Sequence, residues 1–388
     1  MSELGGLLAA FLMTSKTSTL SPPRDIGIDS LRGLMLVGMA MNHIASLLQK
    51  FTDHPLGYTT SAEGFVFLSG LVAGLVYTRR RKRLGPAVAN RASYRRACTI
   101  YFFHLALFVG LLAWTNIFFA ITKTPPGNSA PAMLDHPWLS LVAGALLVYQ
   151  PPLLDILPMY AGFMLLLPTI LAGLDAGHHS RIFLLSLAAW LLTNLFCASI
   201  PLVNGVIQIG AFNWGAWQFL FIFGAILGHA KATTTPLLPR WKNWFVGPAL
   251  GVCVYGFLLR HWYVPAPFAT FADWVNKNNL APARLLNTLA LFFLIHLAFT
   301  RWPRAFQWPP LALLGRHSLA VFSCHVAVAY VLYAFPQFVS ATPARTWIGT
   351  AIMLAALFGV ALTRERWRSR EGTSVRRRSS RRMMHRHA

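Results

Sequence analysis

Charge is what this chain has least of. Only 12% of its 388 residues are Asp, Glu, Lys or Arg, and just 11 residues are acidic, where a soluble domain carries about 25% charged residues. With 55% hydrophobic residues beside so few charges, an ordinary water-facing surface cannot be built, so a soluble globular enzyme is excluded. Cysteine is scarce as well. Cys98, Cys197, Cys253 and Cys324 lie within or at the ends of apolar stretches and never in Cys-x-x-Cys spacing, which gives neither a disulfide framework nor a metal site. The sequence has no phosphate-binding glycine loop, zinc motif or hydrolase elbow, so no metal and no bound cofactor is expected. No internal repeat stands out. The apolar run Gly5 to Met13 lacks a small-residue cleavage pattern, so residues 1–23 are read as a disordered extension rather than a cleaved signal peptide.

Long apolar stretches fill the rest. Segments of the length that crosses about 30 Å of hydrocarbon occur near 30–49, 61–78, 97–121, 157–174, 181–200, 214–230, 244–263, 284–300, 310–335 and 346–363. The expectation is an all-α, polytopic integral membrane protein of about ten transmembrane helices. A shorter run, Trp138 to Tyr149, ends at Gln150-Pro-Pro and reads as a re-entrant or interfacial piece, with an eleventh span as the alternative. Positive charge fixes the orientation, because cytoplasmic loops retain Lys and Arg. Ten spans with both termini cytoplasmic leave only Lys50, Lys123, Arg260, Lys277, Arg284 and Arg345 outside, while Arg32 and Arg316 sit within or at the edge of spans. Residues 24–363 thus form one transmembrane domain, and 364–388 a basic cytoplasmic tail. The net charge of +23 gathers at membrane edges and in that tail, where it meets anionic lipid; the bilayer is the expected partner and nucleic acid is not. A homo-oligomer is left open.

Against this apolar background two ionisable residues share one face of the first span. Arg32 and His43 are eleven residues apart, three helical turns or about 16 Å along the axis. An arginine in a bilayer helix costs about 2.5 kcal/mol or more, so such residues mark reaction sites or ion pathways. Either residue alone has an ordinary reading: the arginine snorkels to the interface, and the histidine bonds a neighbouring helix. Together, with Asp29 one turn before the arginine and Asn42 beside the histidine, they are the first functional candidates.

Other candidates follow along the chain. Glu63 enters the second span at a depth comparable with His43, and is read either as the group that orients the imidazole or as a helix cap. Ser69-Gly70 reads as a close-packing site. Asp155 stands one turn before Pro158, a proline expected to kink the fourth span, which makes Asp155 an acceptor-site candidate with an N-cap as the bland reading. Trp214 and Trp217 mark the outer end of span six, as belt residues or as a carbohydrate platform. In Leu314-Gly-Arg316-His317-Ser318, Arg316 faces an anionic ligand from the cytoplasm, and His325 lies about two turns deeper. His104 and His296 read as packing residues; Asp175, His178 and His179 share a loop, weak grounds for a metal.

These motifs resemble a known group. Asp29-Ser-Leu-Arg32-Gly33 followed by His43 is similar to the arginine, ten residues, histidine pattern of the acyltransferase family 3 membrane proteins; Phe65-Val-Phe-Leu-Ser69-Gly70 and the late motif ending in His325 resemble two more of its motifs, although Phe322-Ser-Cys-His325 lacks the tyrosine-rich run common in the wider family. The finer resemblance is to the OpgC branch, the osmoregulated periplasmic glucan succinyltransferases, through Leu34 to His43, Asp155-Ile-Leu-Pro-Met-Tyr160, Trp217-Gln-Phe-Leu-Phe and Leu314 to Leu319. That resemblance implies an inner-membrane O-acyltransferase moving an acyl group, succinyl in the named branch, from cytoplasmic acyl-CoA (succinyl-CoA) as co-substrate to hydroxyls of periplasmic glucan or another carbohydrate acceptor. It implies that His43 is catalytic and Arg32 its essential partner. The mechanism expected adds Glu63 holding His43, Arg32 and Arg316 at the donor, and Asp155, Trp214 and Trp217 at the acceptor, with His43 acting as general base or, alternatively, through an acyl-histidine intermediate. A transporter of glucan or organic anions is the alternative. A polyprenyl-linked glycosyltransferase expects paired carboxylates in a large outer loop, and only scattered ones occur.

Overall fold

A computed structural model of the chain describes residues 25–44, 48–127, 131–197, 203–204, 207–208, 210–235, 242–335 and 343–384. The longer helices are α1 (Ile26–Asn42), α2 (Ser61–Leu84), α3 (Pro86–Thr122), α4 (Pro137–Ala145), α5 (Ile156–Asp175), α6 (His179–Leu192), α7 (Trp214–Thr233), α8 (Val246–Arg260), α9 (Pro282–Arg301), α10 (Pro309–Arg316), α11 (Ser318–Tyr333) and α12 (Pro343–Met384). A two-residue antiparallel ladder pairs β1 (Val203–Asn204) with β2 (Ile207–Gln208), Val203 opposite Gln208.

Local chemistry sets the boundaries. The Asp25 side chain accepts from the backbone N–H of Ile28 and starts α1. α2 opens on a capping box, Thr60 against Glu63, which satisfies orphan N–H groups of the first turn. Between α2 and α3 stands Gly85 at φ +84° followed by Pro86: the left-handed conformation suits glycine, and the proline begins the next helix where no N–H is needed. Pro158 is the third residue of α5. No hydrogen bond is lost at a position in the first turn, so the expected kink there has no cause; the interior proline is Pro168.

A helix stands at each of the ten expected spans. Six segments are long and apolar enough to cross a membrane, Ser61–Leu84, Pro86–Thr122, Ile156–Asp175, His179–Phe196, Pro282–Arg301 and Arg345–Arg370; α10 and α11, bent by 88° at their break, make a seventh when taken as one span. Of the others, α1 has 17 residues and α8 has 15. α4 is too short to cross: its nine residues extend about 13 Å and lie against α3, with Gly144 on Phe108 and the Tyr101 hydroxyl donating to the Ala145 carbonyl. The expected extension at 1–23 falls outside the described residues, and α12 runs unbroken across the boundary expected after 363.

Small residues bring two helix pairs into backbone contact. Gly70 and Gly74 of α2 face the carbonyls of Phe221 and Ala225, while Gly224 and Gly228 of α7 face those of Phe67 and Leu71, so a Cβ at any of the four would collide with main chain. This is a Gly-x-x-x-Gly crossing made from both sides. α1 and α10 cross as closely: Gly33 abuts the Leu311 carbonyl and Gly315 that of Asp29. Ser30 pins the pair, its hydroxyl donating to the Trp308 carbonyl at 3.1 Å and accepting from the Trp308 N–H at 3.0 Å. α11 then continues beside α1.

Candidate active site

The bend between α10 and α11 lays α11 along α1 and gives Arg32 and His43 their partners. Arg32 is buried; its Nη2 donates to Ser318 Oγ at 2.7 Å, and its guanidinium lies 5.9 Å from the centre of the Phe65 ring. His43 caps the end of α1. Its Nδ1 is 3.0 Å from Nε2 of His325, with the rings stacked at 5.2 Å. Between these contacts Phe65 and Phe322 stack at 6.3 Å, and Phe322 meets His325 edge-on at 5.0 Å. The stripe on α1 therefore faces a second stripe, Ser318, Phe322 and His325, on α11. Asp29, one turn before Arg32, is buried where Gly315 touches its carbonyl.

Glu63 belongs to a different network. Its hydrogen bonds go to Thr60, from both backbone N–H and hydroxyl, and to Arg284 Nη1 at 2.7 Å. Arg284 also donates from Nε to the Val275 carbonyl and meets His54 Nε2 at 3.3 Å through Nη2. His54 in turn bonds Asp53, which pairs with Arg260. The hydrogen bond from His54 holds the Asp53 carboxyl below its usual range. The expected Glu63–His43 pairing is thus corrected: the ring nitrogen of His43 meets His325, while both Glu63 oxygens are used by Thr60 and Arg284. Asn42 links the two regions, exchanging hydrogen bonds with Thr52 just before Asp53.

The acceptor candidates separate. Asp155 stands just before α5, and its Oδ2 accepts from the Ala211 N–H at 2.9 Å; burial pushes its carboxyl above the usual range. It anchors the segment leading into α7. Trp217 is wholly buried, with Nε1 donating to the carbonyls of Lys277 and Asn278. That corrects its reading as a sugar platform, since no ring face reaches a ligand. Trp214, in the first turn of α7, is half-buried and rests on Gly162. Arg316 ends α10 and reaches Glu365 of α12, as does His317. Asp175 takes Arg81 and His229, and His229 takes His179. Among the described residues no group of three or more His, Cys, Asp or Glu side chains is placed to hold a metal ion.

The sequence model of the family described as OpgC protein matches residues 24–369. The chain belongs to the OpgC family. No curated protein and no solved structure matches it. Membership makes this a transferase-type enzyme with a role in modifying osmoregulated periplasmic glucans. Every candidate residue of this OpgC family member lies inside the matched region. Sequence reasoning missed Arg284, His54, Asp53 and Glu365. The local signal for the Glu63 cap was present, Thr60-Ser-Ala-Glu63 being a capping box, but nothing local points from Glu63 to a residue 221 positions away.

Proposed function

We propose that this OpgC family member is an inner-membrane O-acyltransferase of the acyltransferase family 3 superfamily, moving a succinyl group from cytoplasmic acyl-CoA to hydroxyls of periplasmic glucan. The chain crosses the membrane ten times with both termini cytoplasmic. The contacts support that topology: Ser30–Trp308, Asp25–Lys231, Arg81–Asp175 and Arg316–Glu365 each join residues assigned to the inner side, while Asp53–Arg260, Glu63–Arg284 and Trp217–Asn278 join residues assigned to the outer side.

The observation that carries the reading is the His43–His325 hydrogen bond at the C-terminal end of α1, the helix that also carries Arg32. A hydrogen bond between two neutral imidazoles uses one proton. When His43 Nδ1 donates it, His325 Nε2 accepts, and Nε2 of His43 keeps its lone pair. His325 then orients the base, the task first assigned to Glu63. His43 Nε2 removes the proton from a glucan hydroxyl as that oxygen adds to the thioester carbonyl. Collapse breaks the C–S bond, and the departing thiolate recovers the proton. Arg32 and Arg316 serve the donor, since a guanidinium suits anionic oxygen. Positioned general-base help is worth about 10² to 10⁴ in rate.

Membranes given labelled succinyl-CoA and glucan are expected to yield glucan-bound label with the wild-type chain and to lose it with His43→Ala. Full transfer by His43→Ala overturns the assignment. Movement of intact glucan without new ester would identify a transporter instead.

A further inference from the structure

The break between α10 and α11 carries three consecutive polar residues, and each reaches another helix. Ser318 takes Arg32, while Arg316 and His317 take the two oxygens of one carboxylate: Arg316 Nη1 donates to Glu365 Oε1 at 2.9 Å, and His317 Nε2 donates to Oε2 at 2.7 Å. Two donors from neighbouring residues, set to two oxygens of a planar anion, form a seat that suits a carboxylate or a phosphate. A break in a membrane helix is also where such ligands are held. The oxygens now seated come from the chain's own α12, between Arg364 and Arg366. Arg316 and Glu365 are 35% and 39% exposed in their side chains, and ion pairs this open to solvent hold weakly. His317, in contrast, is buried, so half of the seat is fixed while its occupant is loosely held.

We propose that Arg316 and His317 form an oxyanion seat, filled in this structure by Glu365, from which an oxyanion of the acyl-CoA donor displaces that carboxylate. The proposal rests on the acyltransferase reading and deepens it: the seated oxygens are either the terminal carboxylate of the acyl group or a phosphate of CoA. Glu365 stands in for the donor when the donor is absent. Removing it takes the one carboxylate away from Arg316 and His317 and leaves the charge of Arg368 acting on the same site, so donor binding should tighten rather than weaken.

Binding of labelled succinyl-CoA, acetyl-CoA and free CoA to the purified full-length protein in lipid nanodiscs tests this, with transfer assayed on the same preparations. Glu365→Gln is expected to lower the donor Kd about threefold to tenfold. Arg316→Gln is expected to raise it by at least as much, with Arg316→Lys recovering part of the loss. An effect confined to succinyl-CoA assigns the seat to the acyl carboxylate, and an equal effect on all three ligands assigns it to the CoA phosphates. Unchanged or weakened binding by Glu365→Gln, in a preparation whose wild type transfers label, overturns the seat alone. Absence of transfer by the wild type overturns the acyltransferase reading instead.

Discussion

Two polar pairs between helices, Glu63–Arg284 and His43–His325, differ in how fully their bonding capacity is used. Glu63 accepts at both oxygens, and Arg284 donates from all three of its nitrogens. Glu63 is completely buried. Such a pair is complete, with no site left for a substrate. His43 is only half-buried, and among the described residues its side chain makes one hydrogen bond, from or to His325 through Nδ1. It keeps a nitrogen for chemistry. Both pairs join residues more than 200 positions apart, but the saturated pair locks the loop before α2 onto α9, and the unsaturated one supplies the base that the proposed function requires. Saturation, more than burial or charge, separates the two roles.

The comparison breaks most readily at the saturated pair. Glu63→Gln or Arg284→Met leaves one buried charge without its counter-ion, which costs about 3–5 kcal/mol; a large fall in the thermal midpoint of the solubilised protein is expected, with transfer per folded molecule retained. Full stability and lost transfer in Glu63→Gln would instead return Glu63 to the chemistry. At the other pair, His325→Ala leaves a cavity at a buried ring and lowers the thermal midpoint to some extent, but transfer per folded molecule should fall by about tenfold to a hundredfold, the cost of losing an orienting partner. His325→Gln keeps an acceptor for His43 Nδ1 and should recover part of the rate; failure to do so, with the pH profile unaltered, would make His325 a packing residue.

The smallest effect lies at the edge of the lock. Asp53 is held below its usual range by the His54 hydrogen bond, with Arg260 and Lys277 adding to it. A carboxyl depressed in the folded state contributes stability above its unfolded pKa, about 3.9, and loses it as pH falls toward the folded value. Wild type should therefore lose stability below about pH 4 more steeply than Asp53→Asn. Parallel curves would detach Asp53 from the lock.

Legibility followed sequence distance. The Arg32 and His43 stripe is a matter of helical period, so it was visible at eleven residues' spacing. Thr60 and Glu63 make a capping box, also visible, yet the functional reading competed with it because Arg284 was not in view. Trp217 looked like a belt residue at a helix end; only packing against Lys277 and Asn278 shows it wholly buried. Gly70 was read as a close-packing residue, and the Gly224 and Gly228 pair that meets it needed the crossing itself. Span count has the same limit: α1 and α8 are apolar enough to be read as spans, but they are short helices.

By itself the sequence determined the solvent, the helices and the first candidates. Few charges and long apolar runs call for a bilayer, basic loops give the orientation expected in it, and a period of 3.6 residues puts Arg32 and His43 on one face. Only the tertiary structure decided what those residues touch. Ser318 and His325 reach α1 through its glycine-lined crossing with α10, and Arg284 reaches Glu63 through the packing of α9 on the loop before α2; both depend on contact between distant segments. Partner choice is what sorted Glu63 into a lock and left His43 with a nitrogen to spare.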